Sequence, residues 1–135
     1  MDQSSPTECA RALVKSFYDG GARREITSFR DSLAETFELF APAYLPWGGV
    51  IGKQAYVDRL PKVASVLDFT RLSYLSLTAE GQHVVALIEI GVQGSEKSII
   101  ISEHWTVSHD KAIRLLVAYF DPTALLDQMK APAAA

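Results

Sequence analysis

The chain has 135 residues, of which 48% are hydrophobic and 21% charged, which is typical of one globular domain with a real core. The net charge is −3 and the basic residues form no patch beyond the pair Arg23–Arg24, so a nucleic-acid partner is not expected. No apolar run approaches the roughly 18–20 residues that span a bilayer, so no membrane partner is expected either. The absence of a signal-peptide pattern and the single cysteine, Cys9, predict a cytoplasmic protein.

The first helix has a clear start and a clear end in the sequence. Ser5-Pro6-Thr7-Glu8 has the pattern of a capping box with proline at the first helical position, and Gly20–Gly21 ends the helix. Cys9, Leu13 and Phe17 recur at helical spacing. These three residues are therefore predicted to form the buried stripe of this helix, with Cys9 as a buried, inert thiol.

The next segment alternates between helix, strand and loop. A second helix is predicted over Arg24–Leu33, followed by a strand at Phe37–Ala41. The segment Ala43–Gly52 is rich in aromatic residues, proline and glycine, which predicts a loop. A third helix is predicted to begin near Lys53, with Pro61 kinking or splitting it.

The second half of the chain has the period of β-strands. Short, turn-like connections separate the strands, which favours antiparallel hairpins. A last helix follows Asp121-Pro122, and Asp121 is a plausible N-cap for it. The predicted fold class is α+β, a curved antiparallel sheet wrapped around N-terminal helices as a single domain spanning 1–135, with 1–5 and 131–135 as tails. The predicted strands cover 69–79, 83–93, 97–108 and 112–120.

Glu103 is the most informative residue of the chain, because it lies on the apolar face of its strand. Side chains alternate between two faces along a strand, so the segment Ile99–Ser108 puts Glu103 on the same side as Ile101 and Trp105. A buried carboxylate is costly without compensation. Two interpretations follow: a pocket carboxylate with a raised pKa, or a glutamate that bonds a buried tyrosine, an arginine or the backbone.

The order of elements and several short motifs resemble the nuclear transport factor 2-like superfamily, within it the SnoaL-like and ketosteroid isomerase-like branch. The resemblance spans about Ala10 to Leu126. It implies a cone-shaped, cystatin-like roll that encloses a pocket, and homodimers formed through the outer sheet face. The superfamily includes isomerases, cyclases and dehydratases, and also non-enzymatic domains, so the fold does not settle the function. The motifs are Phe17-Tyr18-Asp19-Gly20, Leu45-Pro46-Trp47-Gly48-Gly49 with Gly52, Glu103-His104-Trp105-Thr106-Val107, and Ala118-Tyr119-Phe120-Asp121.

The resemblance assigns roles to two carboxylates. It places Glu103 where ketosteroid isomerases have a protonated aspartate that bonds the substrate oxyanion, and Asp121 near the acid/base carboxylate of polyketide cyclases. It also implies a general base near Phe40–Pro42 and a tyrosine near Leu13 or Val14, and this sequence has neither. The usual ketosteroid isomerase chemistry is therefore not expected. Both Glu103 and Asp121 remain predicted catalytic residues, although the sequence favours a helix cap as the role of Asp121, and the two roles do not exclude each other.

The predicted ligand is a small apolar or aromatic molecule, bound without a cofactor. The three histidines lack metal-ligand spacing, so no metal is predicted. Leu116, Ala118 and Phe120 would form an apolar outer face that a second subunit covers. The expected function is cofactor-independent acid/base chemistry, such as isomerisation, cyclisation or dehydration; the alternative is a non-catalytic ligand-binding or dimeric interaction domain. The predicted pocket is lined by Phe17, Tyr44, Trp47, Tyr56, Ile88, Ile90, Ile101, Trp105, Val117 and Tyr119.

Overall fold

The computed structural model describes residues 5–22 and 26–130. The pair Arg23–Arg24, the start of the predicted second helix, the predicted tail 131–135 and most of the tail 1–5 lie outside these residues. The helices are α1 (Pro6–Ala22), α2 (Ile26–Asp31), α3 (Lys53–Val66) and α4 (Thr123–Lys130). The strands are β1 (Leu33–Ala41), β2 (Gly49–Gly52), β3 (Leu67–Glu80), β4 (His83–Val92), β5 (Ser98–Ser108) and β6 (Lys111–Tyr119).

The six strands form one sheet in the order β2-β1-β6-β5-β4-β3. The last four strands are an antiparallel meander, as their short connections predict. Shifts of register interrupt the β3–β4, β5–β6 and β1–β6 pairings, and such irregularities bend and twist a sheet. The predicted fold class, an α+β arrangement of a curved sheet around N-terminal helices, is confirmed.

The sheet is mixed, whereas the sequence predicts an antiparallel one. β1 pairs with β6 in parallel, with Leu39 opposite Leu115 and Phe40 opposite Leu116. A parallel pair needs a long crossover, and here β2, α3 and three strands of the meander lie between the two partners. Strand pairing over such a sequence distance leaves no local signal.

The predicted loop Ala43–Gly52 is wrong at its end, because Gly49–Gly52 forms the edge strand β2. β2 pairs antiparallel with β1, with Val50 opposite Phe40 and Ile51 opposite Leu39. Four residues, two of them glycine, are too few to show an alternating pattern in the sequence.

Helix α1 begins where the sequence predicts it, but it buries a different face. The Glu8 N–H donates to Ser5 Oγ at 3.1 Å, which is the bond of an N-cap. The buried side chains are Ala10, Val14, Phe17 and Tyr18. Cys9 is exposed, so its prediction as a buried thiol is wrong. Residues spaced four apart shift steadily around a helix that has 3.6 residues per turn, so the sequence pattern does not fix one buried face. Packing against the sheet buried the positions one residue further on, Ala10, Val14 and Tyr18.

The core lies between the inner face of the sheet and the helices α1 and α3. The inner face of β4 supplies Val84, Ala86, Ile88 and Ile90, each at most 1% exposed. Among the described residues no polar or charged side chain is fully buried in this core. No helix in the described part of the chain is long and apolar enough to cross a membrane.

The segment between β1 and β2 is a compact turn that carries Trp47 to the core. The Leu45 N–H donates to Pro42 O at 3.1 Å, and the Gly48 N–H donates to Leu45 O at 2.9 Å. Leu45 and Trp47 are each only 4% exposed as a result. A Cβ on Gly48 would lie 1.8 Å from Pro42 O, so only glycine fits at this position.

Gly48→Ala is expected to lower the free energy of unfolding by at least ~2 kcal/mol, because the added methyl group overlaps backbone that cannot move aside locally. Chemical denaturation measures the change. Gly52→Ala is the matched control: its added Cβ would lie 3.9 Å from Phe37 O, an ordinary contact, and the backbone there has φ −86°. A loss for Gly48→Ala no larger than that of the control would contradict this account of the turn.

Candidate active site

A cavity of about 480 Å³ lies between the inner face of the sheet and helices α1 and α3. Its walls are mostly apolar and aromatic, with few polar groups. The polar groups are the carboxyl of Glu103, the hydroxyls of several tyrosines, Ser65 and two indoles. This is the composition of a site for a small organic molecule, in which a few polar groups fix the orientation of an otherwise apolar ligand.

Glu103 supplies the only carboxyl group among the described residues that line the cavity. On β5 it stands opposite Ala86 of β4 and Val117 of β6. These neighbours are small or medium-sized and apolar, so they leave room for the longer glutamate side chain. Strand alternation thus places an ionisable group on the apolar inner face, as the sequence predicts.

Two hydrogen bonds tie Glu103 to the protein. The Tyr18 O–H of helix α1 donates to Glu103 Oε1 at 2.6 Å. The Trp105 Nε1–H in turn donates to the Tyr18 oxygen at 2.8 Å. Tyr18 and Trp105 are buried, so this chain of donors is shielded from solvent.

The second carboxyl oxygen of Glu103, Oε2, differs from Oε1 in its surroundings. No described side chain donates a hydrogen bond to Oε2, and this oxygen is not completely buried. Since Glu103 lines the cavity, its partial exposure is exposure to the cavity interior. Glu103 therefore presents one fixed oxygen and one accessible oxygen.

Burial raises the pKa of Glu103 from its ordinary value of 4.5 to about 6, and the hydrogen bond from Tyr18 opposes this rise. A carboxyl with a pKa of about 6 can exchange a proton with a substrate near neutral pH. The cavity thus contains a group whose proton affinity suits acid/base chemistry.

The hydroxyls of Tyr56 on α3 and Tyr119 on β6 complete the polar part of the cavity. Burial raises the pKa of each hydroxyl, and the negative charge of Glu103 raises both further. An interaction with the Trp47 indole opposes the rise for Tyr119. Both tyrosines therefore remain protonated and can donate a hydrogen bond to a ligand oxygen.

Packed aromatic rings hold this geometry in place. The ring centroids of Phe17 and Trp105 are 4.9 Å apart, and those of Phe17 and Phe29 are also 4.9 Å apart with nearly perpendicular planes. Phe37 stacks on Tyr56 with centroids 5.6 Å apart. Such contacts restrict the side chains that carry the polar groups.

The structure places nine of the ten residues predicted to line the pocket on this cavity, so the predicted inner face of the sheet faces the cavity. Tyr44 is the exception: it is 54% exposed and does not line the cavity. The residues on the cavity are Phe17, Trp47, Tyr56, Ile88, Ile90, Ile101, Trp105, Val117 and Tyr119.

Asp121 lies away from this cavity, just before helix α4. Its Oδ1 accepts hydrogen bonds from the Thr123 N–H at 3.1 Å and the Thr123 O–H at 2.6 Å. These bonds lower the pKa of the Asp121 carboxyl. The first helical backbone bond runs from the Leu126 N–H to Pro122 O, so Asp121 stands one residue before the N-cap position that the sequence predicts for it and satisfies the Thr123 N–H in a turn leading into the helix.

Sequence reasoning missed Tyr18, the residue that bonds Glu103. The resemblance placed a tyrosine near Leu13 or Val14, and Tyr18 lies one turn after Val14 on the buried face of α1. Its position beside Phe17 and four residues after Val14 was the available signal. Ala41, at the end of β1, lines the cavity. The place where the resemblance implies a general base therefore has an alanine side chain.

No protein-family model and no curated protein sequence matches the chain. Solved structures do match it. TerC, co-crystallized with polyporic acid, is 20% identical with a TM-score of 0.76, and the match covers 91% of this chain and 99% of that one. A proposed SnoaL-like polyketide cyclase from Jannaschia sp. CCS1 is 15% identical with a TM-score of 0.76, covering 98% and 99%. A proposed ketosteroid isomerase from Kribbella flavida DSM 17836 is 17% identical with a TM-score of 0.72, covering 97% and 94%.

The chain therefore has the nuclear transport factor 2-like fold, in agreement with the resemblance seen in the sequence. Further matches of the same kind are described as NTF2-like proteins. All of these identities are low, so the matches establish the fold and leave the activity to be argued from the cavity.

Glu103→Gln is expected to stabilise the protein at about pH 8 by ~2 kcal/mol. The unfolded chain gives up this proton near the ordinary pKa of 4.5, while the folded protein holds it to about pH 6. The folded state is thus favoured at low pH and loses this advantage as the pH rises through about 6.

Urea denaturation at about pH 4 and about pH 8 measures this effect, and the gain is expected only at the higher pH. Glu80→Gln makes the same chemical change at the exposed end of β3 and is expected to alter stability by less than ~0.5 kcal/mol. An equal gain at both pH values would show that burial of the charge is not its cause.

Proposed function

We propose that the protein binds a small apolar or aromatic molecule in this cavity and that Glu103 catalyses proton transfer on it without a cofactor. The observation that carries the proposal is a carboxyl with one accessible oxygen in an apolar cavity of about 480 Å³. Its pKa of about 6 suits both removal and return of a proton near neutral pH.

The proposed step is a proton shift next to a carbonyl group. Glu103 Oε2 removes a proton from the carbon beside the carbonyl, and the electrons of the broken C–H bond pass to the carbonyl oxygen. The hydroxyls of Tyr56 and Tyr119 are the available donors to that oxygen. The proton on Oε2 then returns to the substrate, which restores the enzyme. Return to the same carbon gives proton exchange alone, and return to another carbon isomerises the substrate.

The structural neighbours support this class of ligand. The fold of this chain is shared with TerC, co-crystallized with polyporic acid, and with proteins proposed to be a polyketide cyclase and a ketosteroid isomerase. Those names point to cyclic, largely apolar molecules. The aromatic walls formed by Phe17, Trp47 and Trp105 suit such a ligand.

A non-catalytic binding domain is the second candidate, and one observation favours it. Glu103 is the only carboxyl among the described residues that line the cavity. Ala41 stands at the end of β1, where the resemblance implies a general base, and Asp121 bonds Thr123 at the start of α4. A protein that only binds a ligand needs no second acid or base. The two candidates differ in whether a bound ketone exchanges protons.

We also propose that the protein is a homodimer that buries the outer face of its sheet. Val50, Phe40 and Leu116 are neighbours across β2, β1 and β6 on this face. Val50 is 61% exposed and Leu116 44%, and Phe120 just beyond β6 is 83% exposed. An exposed group of large apolar side chains on one sheet face is typical of an interface.

Proton transfer can be tested with 2-tetralone, an apolar aromatic ketone with an acidic C–H beside its carbonyl. The wild-type protein in D2O is expected to accelerate deuterium incorporation at that carbon, followed by proton NMR. The rate should rise with pH through about 6, because the base is the ionised form of Glu103. Glu103→Gln should reduce the rate by about 100-fold or more, while Glu80→Gln should not.

Full activity of the Glu103→Gln variant would remove Glu103 from the mechanism. If 2-tetralone binds to the wild-type protein but no exchange is accelerated, the non-catalytic candidate is favoured instead.

Leu116→Glu is expected to convert the dimer into a monomer, because it places a charge in the centre of the proposed apolar interface. Light scattering coupled to size-exclusion chromatography measures the mass. Thr78→Glu adds the same charge to the same face on β3, outside the apolar group, and is expected to leave the dimer intact. A wild-type protein that is already monomeric at high concentration would contradict the proposed dimer.

A further inference from the structure

The direction of the hydrogen bonds around Tyr18 is determined by Trp105. An indole N–H can donate a hydrogen bond but has no lone pair in the ring plane with which to accept one. The 2.8 Å contact between Trp105 Nε1 and the Tyr18 oxygen is therefore a bond in which Tyr18 accepts. The single proton of the Tyr18 hydroxyl is then available for another partner.

That partner is Glu103 Oε1, at 2.6 Å. If Tyr18 instead accepted a hydrogen bond from residue 103, its own proton would face Trp105, which cannot accept it. The hydroxyl would then be a buried donor without a partner, which is costly. Trp105 thus favours one arrangement, in which Tyr18 always donates to Oε1.

The Trp105 ring is held so that it cannot turn its N–H elsewhere at low cost. It is 3% exposed and packs against Phe17, Phe29 and Phe37, with ring centroids 4.9, 6.4 and 6.5 Å away. Reorienting the indole would require these rings to move together. The position of the N–H is therefore a fixed property of the packed cavity wall.

We propose that Trp105 is a positioning residue that makes the cavity selective for aromatic ligands carrying a hydroxyl donor over matched ligands that offer only a carbonyl acceptor. By directing the Tyr18 proton to Oε1, it leaves the ionised Glu103 with Oε2 as a hydrogen-bond acceptor toward the ligand. The Tyr56 and Tyr119 hydroxyls can donate to the oxygen of either ligand type, so the difference between the two types arises at Oε2. This inference rests on the proposed function only in requiring that the cavity binds an apolar ligand.

The same geometry predicts what happens when Glu103 becomes glutamine. Tyr18 still donates, so it holds the amide oxygen, and the amide NH2 must point into the cavity. Position 103 then offers a donor, and the preference between the two ligand types inverts. A merely structural role of Trp105 would not produce such an inversion.

Protonation of Glu103 should remove the preference for hydroxyl donors. With Tyr18 donating to Oε1, the added proton resides on Oε2 and faces the ligand. The titratable groups that face Glu103 are Tyr18 from α1, Tyr56 from α3 and Tyr119 from β6, and the pKa of each is raised, so all stay neutral. From β4, Glu103 meets Ala86, which carries no charge.

Calorimetric titration with 2-naphthol and 2-acetylnaphthalene tests the proposal, since the two probes share one ring system and differ in donor and acceptor. At about pH 8 the wild-type protein is expected to bind 2-naphthol at least ~10-fold more tightly than 2-acetylnaphthalene. Glu103→Gln should reverse the order. At about pH 5, where Glu103 is protonated, the wild-type protein should also lose its preference for 2-naphthol.

The contribution of Trp105 is measured by adding Trp105→Phe to Glu103→Gln. Without the indole N–H, the amide can take either orientation, so the inverted preference should shrink to less than ~3-fold. Tyr74→Phe added to Glu103→Gln is the matched control. Its ring meets the Tyr18 ring at 5.8 Å but does not line the cavity, so the inversion should persist.

The outcomes separate this inference from the proposed function. If neither probe binds the wild-type protein, the ligand-binding cavity itself is refuted. If both bind but Glu103→Gln does not invert their order, the fixed direction of the Tyr18 bond is wrong while the cavity stands. If the inversion persists in the Trp105→Phe double variant, Trp105 is not the positioning residue. Should that variant fail to fold, Tyr18→Phe with Glu103→Gln tests the Tyr18 bond that the proposal requires, and persistence of the inversion in it would overturn the proposal.

Discussion

The hydrogen bond from Tyr18 to Glu103 is the interaction on which the rest of the site depends. It joins helix α1 to strand β5 across 85 positions of the chain, and it compensates a carboxylate in an apolar cavity. Without a donor at this point, burial of the charge would favour the protonated form even more strongly. With it, Glu103 keeps one oxygen fixed and one accessible, which is the arrangement that an acid/base residue requires.

The ionisable group in the cavity lowers the stability of the protein at neutral pH. The aromatic walls of the cavity hold the polar groups in place, yet the ionised Glu103 opposes folding above about pH 6. Natural proteins often accept such a loss where a strained or poorly solvated group is needed for function. A glutamine at position 103 would give a more stable domain at neutral pH, with no carboxyl group among the described residues that line the cavity.

Local patterns predicted the meander and a strand within β1, but they predicted neither the edge strand β2 nor the pairing of β1. Strands β3 to β6 are joined by short turns, so each strand pairs with its neighbour in sequence and alternation is enough to find it. β1 pairs in parallel with β6, and the edge strand β2 has four residues, so neither pairing has a local signature. The resemblance to a known superfamily supplied the cone-shaped fold that the patterns alone did not.

The sequence by itself determined which face of β5 carries Glu103, because the two-residue period of a strand leaves no freedom: Glu103, Ile101 and Trp105 must share a side. Only the tertiary structure decided what Glu103 meets. A helix can present several overlapping faces from one sequence, and packing of α1 on the sheet turned Tyr18 inward and Cys9 outward. The partner of Glu103 depends on that rotation of α1. A shift by one residue would put the apolar side chain of Phe17 where Tyr18 now donates its hydrogen bond.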